Sequence, residues 1–255
     1  MDSFRPDLLR GQRAVVTGGA TGIGNATASA FAAHGAEVVL LSRNADRLRA
    51  AAKAIGPQAS FHAADVRDAA RMAEVATQIG KTDVLVNCAA GNFPSPFDAL
   101  SENGWKSVVD IVLNGTANAC RAFRPHLTPS ASVVNVVAGY AWTGAPGVAH
   151  SGAAKAGVLN LTKTLAVEWA PVRVNAVSPG PIDQTEGVKR LADDLGLRPA
   201  MEKAVPLRRL GLPAEVAQAC LFLASPAASY VTGACLVVDG GMDAKGPFGD
   251  LLLGM

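Results

Sequence analysis

The run Thr17-Gly18-Gly19-Ala20-Thr21-Gly22-Ile23-Gly24 ends a β-branched stretch and begins an Ala-rich one. Glycines at this spacing permit a tight turn and close backbone approach. Amides at the start of the following helix favour negative charge, so the turn suits a pyrophosphate. Two other loops combine small and polar residues, Asn87-Cys88-Ala89-Ala90-Gly91 and Ser178-Pro179-Gly180-Pro181-Ile182. Lys155 stands among Ala153, Ala154, Ala156 and Gly157, neighbours small enough to let a ligand reach its ammonium. Ser151 lies one helical turn before it on the same face. These groups suit anion binding and charge stabilisation.

Positioning them requires a regular scaffold, and the hydrophobic pattern supplies one. Strands are expected at 13–17, 37–42, 59–64, 83–87, 132–137, 172–178 and 235–239, and helices at 23–34, 44–55, 68–79, 101–123, 149–169 and 213–224. Strand–helix alternation implies parallel pairing, and Val133-Val134-Asn135-Val136-Val137 is apolar on both faces, as a strand covered on both sides must be. The expected architecture is a single α/β domain over 1–255, with a doubly wound, seven-stranded parallel sheet of Rossmann type. In such sheets ligands lie beyond the carboxyl ends of the strands, where the motifs above fall. The charged stretch 184–206 reads as a flap over the site.

Of 255 residues, 49% are hydrophobic and 17% charged, with a formal net charge of +2, which excludes a disordered chain. There is no basic run for nucleic acid or an anionic membrane, and no apolar stretch approaches a bilayer span. The four cysteines, Cys88, Cys120, Cys220 and Cys235, lack metal-ligand spacing and read as reduced core thiols, so no metal is expected. The charged start, Met1 to Arg13, is unlike a signal peptide, and a cytoplasmic location is expected. The terminal Leu251-Leu252-Leu253-Gly254-Met255 is expected to pack on a subunit.

The G-x-x-x-G-x-G turn, Asn87-Cys88-Ala89-Ala90-Gly91, Lys155 and Ser178-Pro179-Gly180-Pro181-Ile182, in this order over nearly the whole chain, resemble the short-chain dehydrogenase/reductase family. The resemblance implies a nicotinamide cofactor held by Gly18, Thr21, Gly22, Ile23, Gly24, Asn87, Ala89, Lys155, Pro179, Gly180, Pro181 and Ile182, with Asp65 and Val66 as the adenine contact. Asp65 also suits a helix cap. Where NAD-preferring relatives place a carboxylate, strand two ends in Ser42-Arg43. Arg43 suits a ribose 2′-phosphate and Ser42 leaves room for it, so NADPH is expected.

The catalytic residues depart from the usual family pattern. Most members carry a tyrosine four residues before the lysine and a serine thirteen residues earlier, where this chain has Ser151 and Ala138. A serine hydroxyl is far too weak an acid to replace an activated phenol, so ordinary carbonyl reduction is disfavoured. The segments Asn87 to Phe93, Leu113-Asn114-Gly115-Thr116, Ala166-Val167-Glu168-Trp169 and Tyr140, eleven residues before Ser151, resemble the 2,4-dienoyl-CoA reductase branch.

That resemblance implies NADPH-dependent reduction of a 2,4-dienoyl-CoA to a 3-enoyl-CoA in unsaturated fatty-acid degradation. Tyr140 and Asn114 would be the hydrogen-bond donors to the thioester oxygen, Ser151 would support them, and Lys155 would hold the nicotinamide ribose. Arg67, Phe93, Ser101, Glu102, Asn103 and Arg190 fall where substrate contacts are implied. A homodimer or homotetramer through the helices 101–123 and 149–169 is implied as well. Alternatives are a short-chain reductase of another carbonyl or activated alkene, and a non-catalytic NADPH-binding protein. A hydrolase is disfavoured, because there is no G-x-S-x-G elbow. Trp142 is expected near the pocket.

Overall fold

A computed structural model describes residues 4–245; the expected packing of residues 251–255 lies outside them. The strands are β1 (Arg13–Thr17), β2 (Glu37–Ser42), β3 (Ala59–Ala63), β4 (Thr82–Asn87), β5 (Leu127–Val136), β6 (Arg173–Pro179) and β7 (Cys235–Val238). All pair in parallel in the order β3-β2-β1-β4-β5-β6-β7, so the expected doubly wound sheet is found. The order reverses between β1 and β4, opening a crevice at their carboxyl ends.

One layer contains α1 (Gly22–Ala33), α2 (Ala45–Ile55) and the last long helix, which places Phe31, Leu48 and Leu221 against Val16, Leu40 and Val86. The other contains α3 (Ala69–Ile79), α4 (Glu102–Val109), α5 (Gly115–Phe123) and α6 (Ala149–Glu168), with Met72, Phe123 and Leu165 packed on Val15, Leu85 and Val133. Successive residues of β1 and β4 thus bury opposite faces of the sheet, which accounts for their continuous apolar runs.

The expected helix 101–123 is interrupted by a π-helical turn at Asp110–Asn114 between α4 and α5. The apolar spacing survives such a turn, so the sequence pattern did not reveal it. β5 begins five residues before its expected start.

The 184–206 stretch is largely helical: α7 (Glu186–Val188), a π turn at Lys189–Asp193 and α8 (Arg198–Ala204). Val188 and Ala192 pack with Leu210 in a small separate cluster that Met201 flanks. Arg198 pairs at 2.6 Å with both Asp183 and Asp193, holding their carboxyls below the usual carboxylate range and tying the base of this segment to the end of β6. The last long helix, α9 (Pro213–Ala224), follows. Among the described residues no helix is long and apolar enough to cross a membrane, and no cluster of His, Cys, Asp or Glu suits a metal.

Candidate active site

A cleft of about 2000 Å³ runs along the carboxyl ends of the strands. On one side it is walled by the glycine-rich turn between β1 and α1. Gly18 has a φ of +69°, and a Cβ there would lie 2.9 Å from the Ala89 amide nitrogen and the Cys88 carbonyl oxygen. A Cβ on Gly24 would collide with the Gly18 carbonyl. Only glycine allows this turn to fold so tightly beside the β4 loop, and Thr17 Oγ1 completes the junction by accepting from the amides of Cys88 and Ala89. The resulting cradle, open along the α1 N-terminus, fits a dinucleotide pyrophosphate.

Gly18, Thr21, Gly22, Ile23, Gly24, Ser42, Arg43, Asp65, Val66, Ala89, Lys155 and the run from Pro179 to Ile182 all line this cleft. Arg43 and Arg47 stand together at the end of β2, and among the described residues neither guanidinium has an ion-pair partner. Asp65 does not cap α3, because Asp68 occupies that position. It is gripped by Arg67, whose Nη2 lies 2.6 Å from Oδ2, and hydrogen bonding from Arg67 lowers its carboxyl pKa. Asn87 departs from expectation. Its amide turns into the sheet, donating to Asn135 Oδ1 at 2.9 Å, and Asn135 donates in turn to Thr162. Asn87 therefore ties β4, β5 and α6 together below the cleft.

The middle of the cleft holds the polar cluster. Lys155 is 6% exposed, with its ammonium donating to the Val136 carbonyl, and burial pushes its pKa down to about 8. Cys88 is close enough to oppose that shift, while its own thiol is pushed up to about 11 by burial and is therefore inert at neutral pH. Tyr140 rises from the short turn Gly139–Ala141, with its hydroxyl 3.5 Å from Ser151 Oγ. Burial raises the Tyr140 pKa, whereas hydrogen bonding from Ser151 and Asn92 acts in the opposite direction. The phenol thus stays protonated, and Lys155 is not among the groups acting on it.

Asn114, expected as the second donor, is engaged away from the cleft. Asn114 closes the π turn and donates to Asp110 Oδ1 at 2.9 Å, outside the cleft lining. Asn92 lines the cleft beside Tyr140. Its Oδ1 accepts from the Phe93 amide at 2.9 Å, and its buried Nδ2 has no hydrogen-bond partner of good geometry. A buried amide donor that makes no bond of good geometry, beside the Tyr140 hydroxyl at the edge of the cleft, is available to a ligand acceptor. The sequence signal was modest: an amide residue directly before Phe93, itself expected to line the channel.

Phe93 does line the cleft, with its ring edge-to-face against the buried His150 at 4.7 Å. Ser101 accepts from the Gly104 amide and caps α4. With Glu102 and Asn103 it stands outside the cleft lining, as does Arg67. Arg190 reaches in from the 184–206 segment and donates to the Asn92 carbonyl at 3.1 Å. Trp142 stands near the cleft, as expected, and donates to Asp243, which lines it, at 2.7 Å.

Residues 18–243 match the family model described as Enoyl-(Acyl carrier protein) reductase. The chain is 43% identical, over 93% of its length and 86% of the relative's, to the peroxisomal 2,4-dienoyl-CoA reductase [(3E)-enoyl-CoA-producing] of Pongo abelii. It is 42% identical, over 89% of its length and 94% of the relative's, to a Bacillus subtilis protein named probable 2,4-dienoyl-CoA reductase [(2E)-enoyl-CoA-producing]. A solved short chain dehydrogenase from Bacillus anthracis superposes with a TM-score of 0.86 at 40% identity, over 92% of this chain and 97% of that one. With its parallel sheet and glycine cradle, the chain belongs to the short-chain dehydrogenase/reductase family and is an oxidoreductase for a nicotinamide cofactor.

Proposed function

We propose that the chain reduces 2,4-dienoyl-CoA thioesters to 3-enoyl-CoA with NADPH, in the degradation of unsaturated fatty acids. The observation that carries this reading is the pairing of Tyr140, a phenol kept protonated, with the neighbouring Asn92 amide, while Ser151 and Ala138 stand where a carbonyl reductase carries its acid and its helper serine. Such a site donates hydrogen bonds without giving up a proton. That suits a thioester oxygen gaining charge as a dienolate, and it does not suit making an alcohol. The named activity of the relatives from Pongo abelii and Bacillus subtilis supports dienoyl-CoA reduction, and the 3-enoyl product is that of the Pongo abelii protein, the Bacillus subtilis protein being named for the 2-enoyl product.

When bound, the cofactor supplies hydride to the substrate carbon most distant from the thioester in the diene. Tyr140 and Asn92 donate to the thioester oxygen as the electrons move onto it. Ser151 orients the phenol. Lys155, a cation held in apolar surroundings, grips the nicotinamide ribose hydroxyls and adds positive potential. The dienolate is then protonated from water at the carbon next to the thioester, giving the 3-enoyl product; protonation two carbons farther along would give the 2-enoyl isomer.

Gly18, Thr21, Gly22, Ile23 and Gly24 hold the pyrophosphate, Asp65 and Val66 the adenine, and Ala89 with the run from Pro179 to Ile182 the nicotinamide. Phe93 lines the acyl channel. Gly104 packs on both Phe93 and Ser101, so the Ser101, Glu102 and Asn103 turn borders that wall, and with Arg67 it meets the CoA arm outside the cleft. The 184–206 segment acts as a flap. We assign the protein to the cytoplasm as a homo-oligomer built on α4, α5 and α6; Val167, 81% exposed near the end of α6, is suited to such a contact.

The test is to supply NADPH and a short 2,4-dienoyl-CoA, follow cofactor oxidation and identify the product. Turnover to the 3-enoyl isomer is expected. Binding of NADPH without turnover, or turnover only of ketones, overturns the reading. The cofactor preference is tested separately: Arg43→Ala raises KM for NADPH about 10- to 100-fold, as loss of a charge-assisted hydrogen bond requires, and leaves KM for NADH unchanged. An equal rise for both cofactors would remove Arg43 from the 2′-phosphate.

A further inference from the structure

The loop from Cys88 to Pro96 carries Asn92 and Phe93 but forms no helix or strand. Its position depends on a few contacts. The Ser95 amide donates to the Gly147 carbonyl at 2.8 Å, and Phe93 rests edge-on against His150, whose ring is fully buried. Cys88 and Ala89 are tied to Thr17 at the start of the loop, and at Asn92 a further contact comes from the 184–206 segment: Arg190 Nη1 donates to the Asn92 carbonyl at 3.1 Å. Glu186, one turn earlier, lies 3.6 Å from Arg190 Nε and orients the guanidinium. Arg190 thus bonds the backbone of the loop residue whose buried amide donor lies beside Tyr140 and makes no bond of good geometry.

We propose that Arg190 is a positioning residue that clasps the Asn92 carbonyl, so that the flap sets the aim of the Asn92 amide at the substrate oxygen. Two bonds fix Asn92. Its own Oδ1 is held by the Phe93 amide, which determines the side-chain rotamer, and its carbonyl is held by Arg190, which determines the tilt of the peptide. Without the second, the amide keeps its rotamer and loses its direction. Displacing a catalytic donor by about 1 Å is enough to lower a rate about 100-fold. A guanidinium suits the task, since its fork holds the carbonyl and Glu186 together. The inference rests on the proposed role of Asn92, and it gives Arg190 a part distinct from neutralising CoA phosphates.

Three measurements on the full chain test it. First, amide hydrogen exchange without ligand is compared between wild type, Arg190→Ala and Arg190→Lys. Exchange at Phe93 and Ser95 accelerates in the alanine variant and is partly restored in the lysine variant, while β4 and α6 are unchanged. Unaltered exchange at both amides overturns the clasp, whatever the substrate proves to be.

Second, kcat is measured with a 2,4-dienoyl-CoA and with the dienoyl thioester of N-acetylcysteamine, which carries no phosphate. Arg190→Ala lowers kcat about 10- to 100-fold with both, leaving the Kd for NADPH unchanged. A rise in KM confined to the CoA substrate, with kcat intact, makes Arg190 a phosphate contact and overturns the proposal. Third, in an Asn92→Ala background the Arg190→Ala change lowers kcat little further, whereas full additivity overturns it. If the wild type turns over neither thioester, the functional reading fails, and the exchange result still decides the clasp.

Discussion

Tyr140→Phe and Asn92→Ala each lower kcat on a 2,4-dienoyl-CoA by about 100- to 1000-fold, the usual effect of removing one donor to a developing oxyanion. KM for NADPH does not change, because neither group belongs to the glycine cradle. The two losses are unequal in character. Phenylalanine preserves the ring that fills the site and removes only the hydroxyl near Ser151. Alanine at position 92 also removes the acceptor for the Phe93 amide, so the acyl channel loosens and KM for the thioester rises as well. Asn114→Ala, in contrast, removes an amide bonded to Asp110 at the π turn and leaves kcat within a few fold. A loss at Asn114 equal to that at Asn92 would return the donor role to Asn114.

The same pair predicts an unusual pH dependence. A phenol that gives up its proton must have its pKa brought down, and a neighbouring ammonium does this. Here burial raises the Tyr140 pKa, so the group remains a hydrogen-bond donor throughout the neutral range. The rate therefore shows no titration of Tyr140 between pH 6 and 9, and the profile of Tyr140→Phe runs parallel to the wild type at a lower level. A limb that disappears in the variant would make the phenol a proton giver.

The residue pattern reveals the sheet and the glycine turn and conceals which asparagine stands at the cleft. β1, β4 and β5 announce themselves because Val15, Leu85 and Val133 and their neighbours must face apolar layers on both sides, and that necessity is written as continuous β-branched runs. The glycine turn is equally plain, since a positive φ at Gly18 and the crowding around Gly24 leave glycine little competition. Lys155 and Ser151 stood out by residue type and spacing and Tyr140 by its resemblance to the dienoyl-CoA reductase branch, and the structure gathers the three in one cluster. Asn92 was hidden for a different reason. Its chemistry depends on a buried donor that makes no bond of good geometry, a property created by the surrounding packing and by Arg190 nearly a hundred residues away. Asn87 and Asn114 look the same as Asn92 in sequence, yet their amides go to Asn135 and Asp110. Which of several asparagines faces a cleft is decided by tertiary contacts. The π turn belongs to the same class, because its apolar spacing resembles that of a continuous helix.

Lys155→Met abolishes turnover, by about 1000-fold or more, and makes the ligand-free protein more stable near neutral pH. Both effects follow from one buried ammonium. Its pKa in the folded chain is about 8, below the 10.5 of a solvated lysine, and desolvation is the main cause. Between these two values the unfolded chain binds a proton that the folded chain has released, so stability rises with pH across that window. Below pH 8 both states are protonated and the fold bears the full penalty of burying the charge, about 3 kcal/mol. Methionine removes this penalty, although the Val136 carbonyl then loses its donor and part of the gain with it. Urea unfolding of the variant against the wild type should therefore show the largest gain at pH 6 to 8 and a shrinking one above. Catalysis responds in the opposite sense, because the charge that destabilises the fold is the one that grips the ribose and favours the dienolate. The limb of kcat/KM falls as pH rises through about 8, with a slope of one proton. In the kcat profile the limb moves to higher pH, since negative charge on the bound ligands holds the proton on Lys155. Lys155→Arg keeps the charge at any accessible pH, and whatever activity survives the bulkier guanidinium should lose the limb altogether. If the limb persists in that variant, the titrating group lies elsewhere, and Lys155 holds the cofactor through hydrogen bonds without its charge mattering to the reaction.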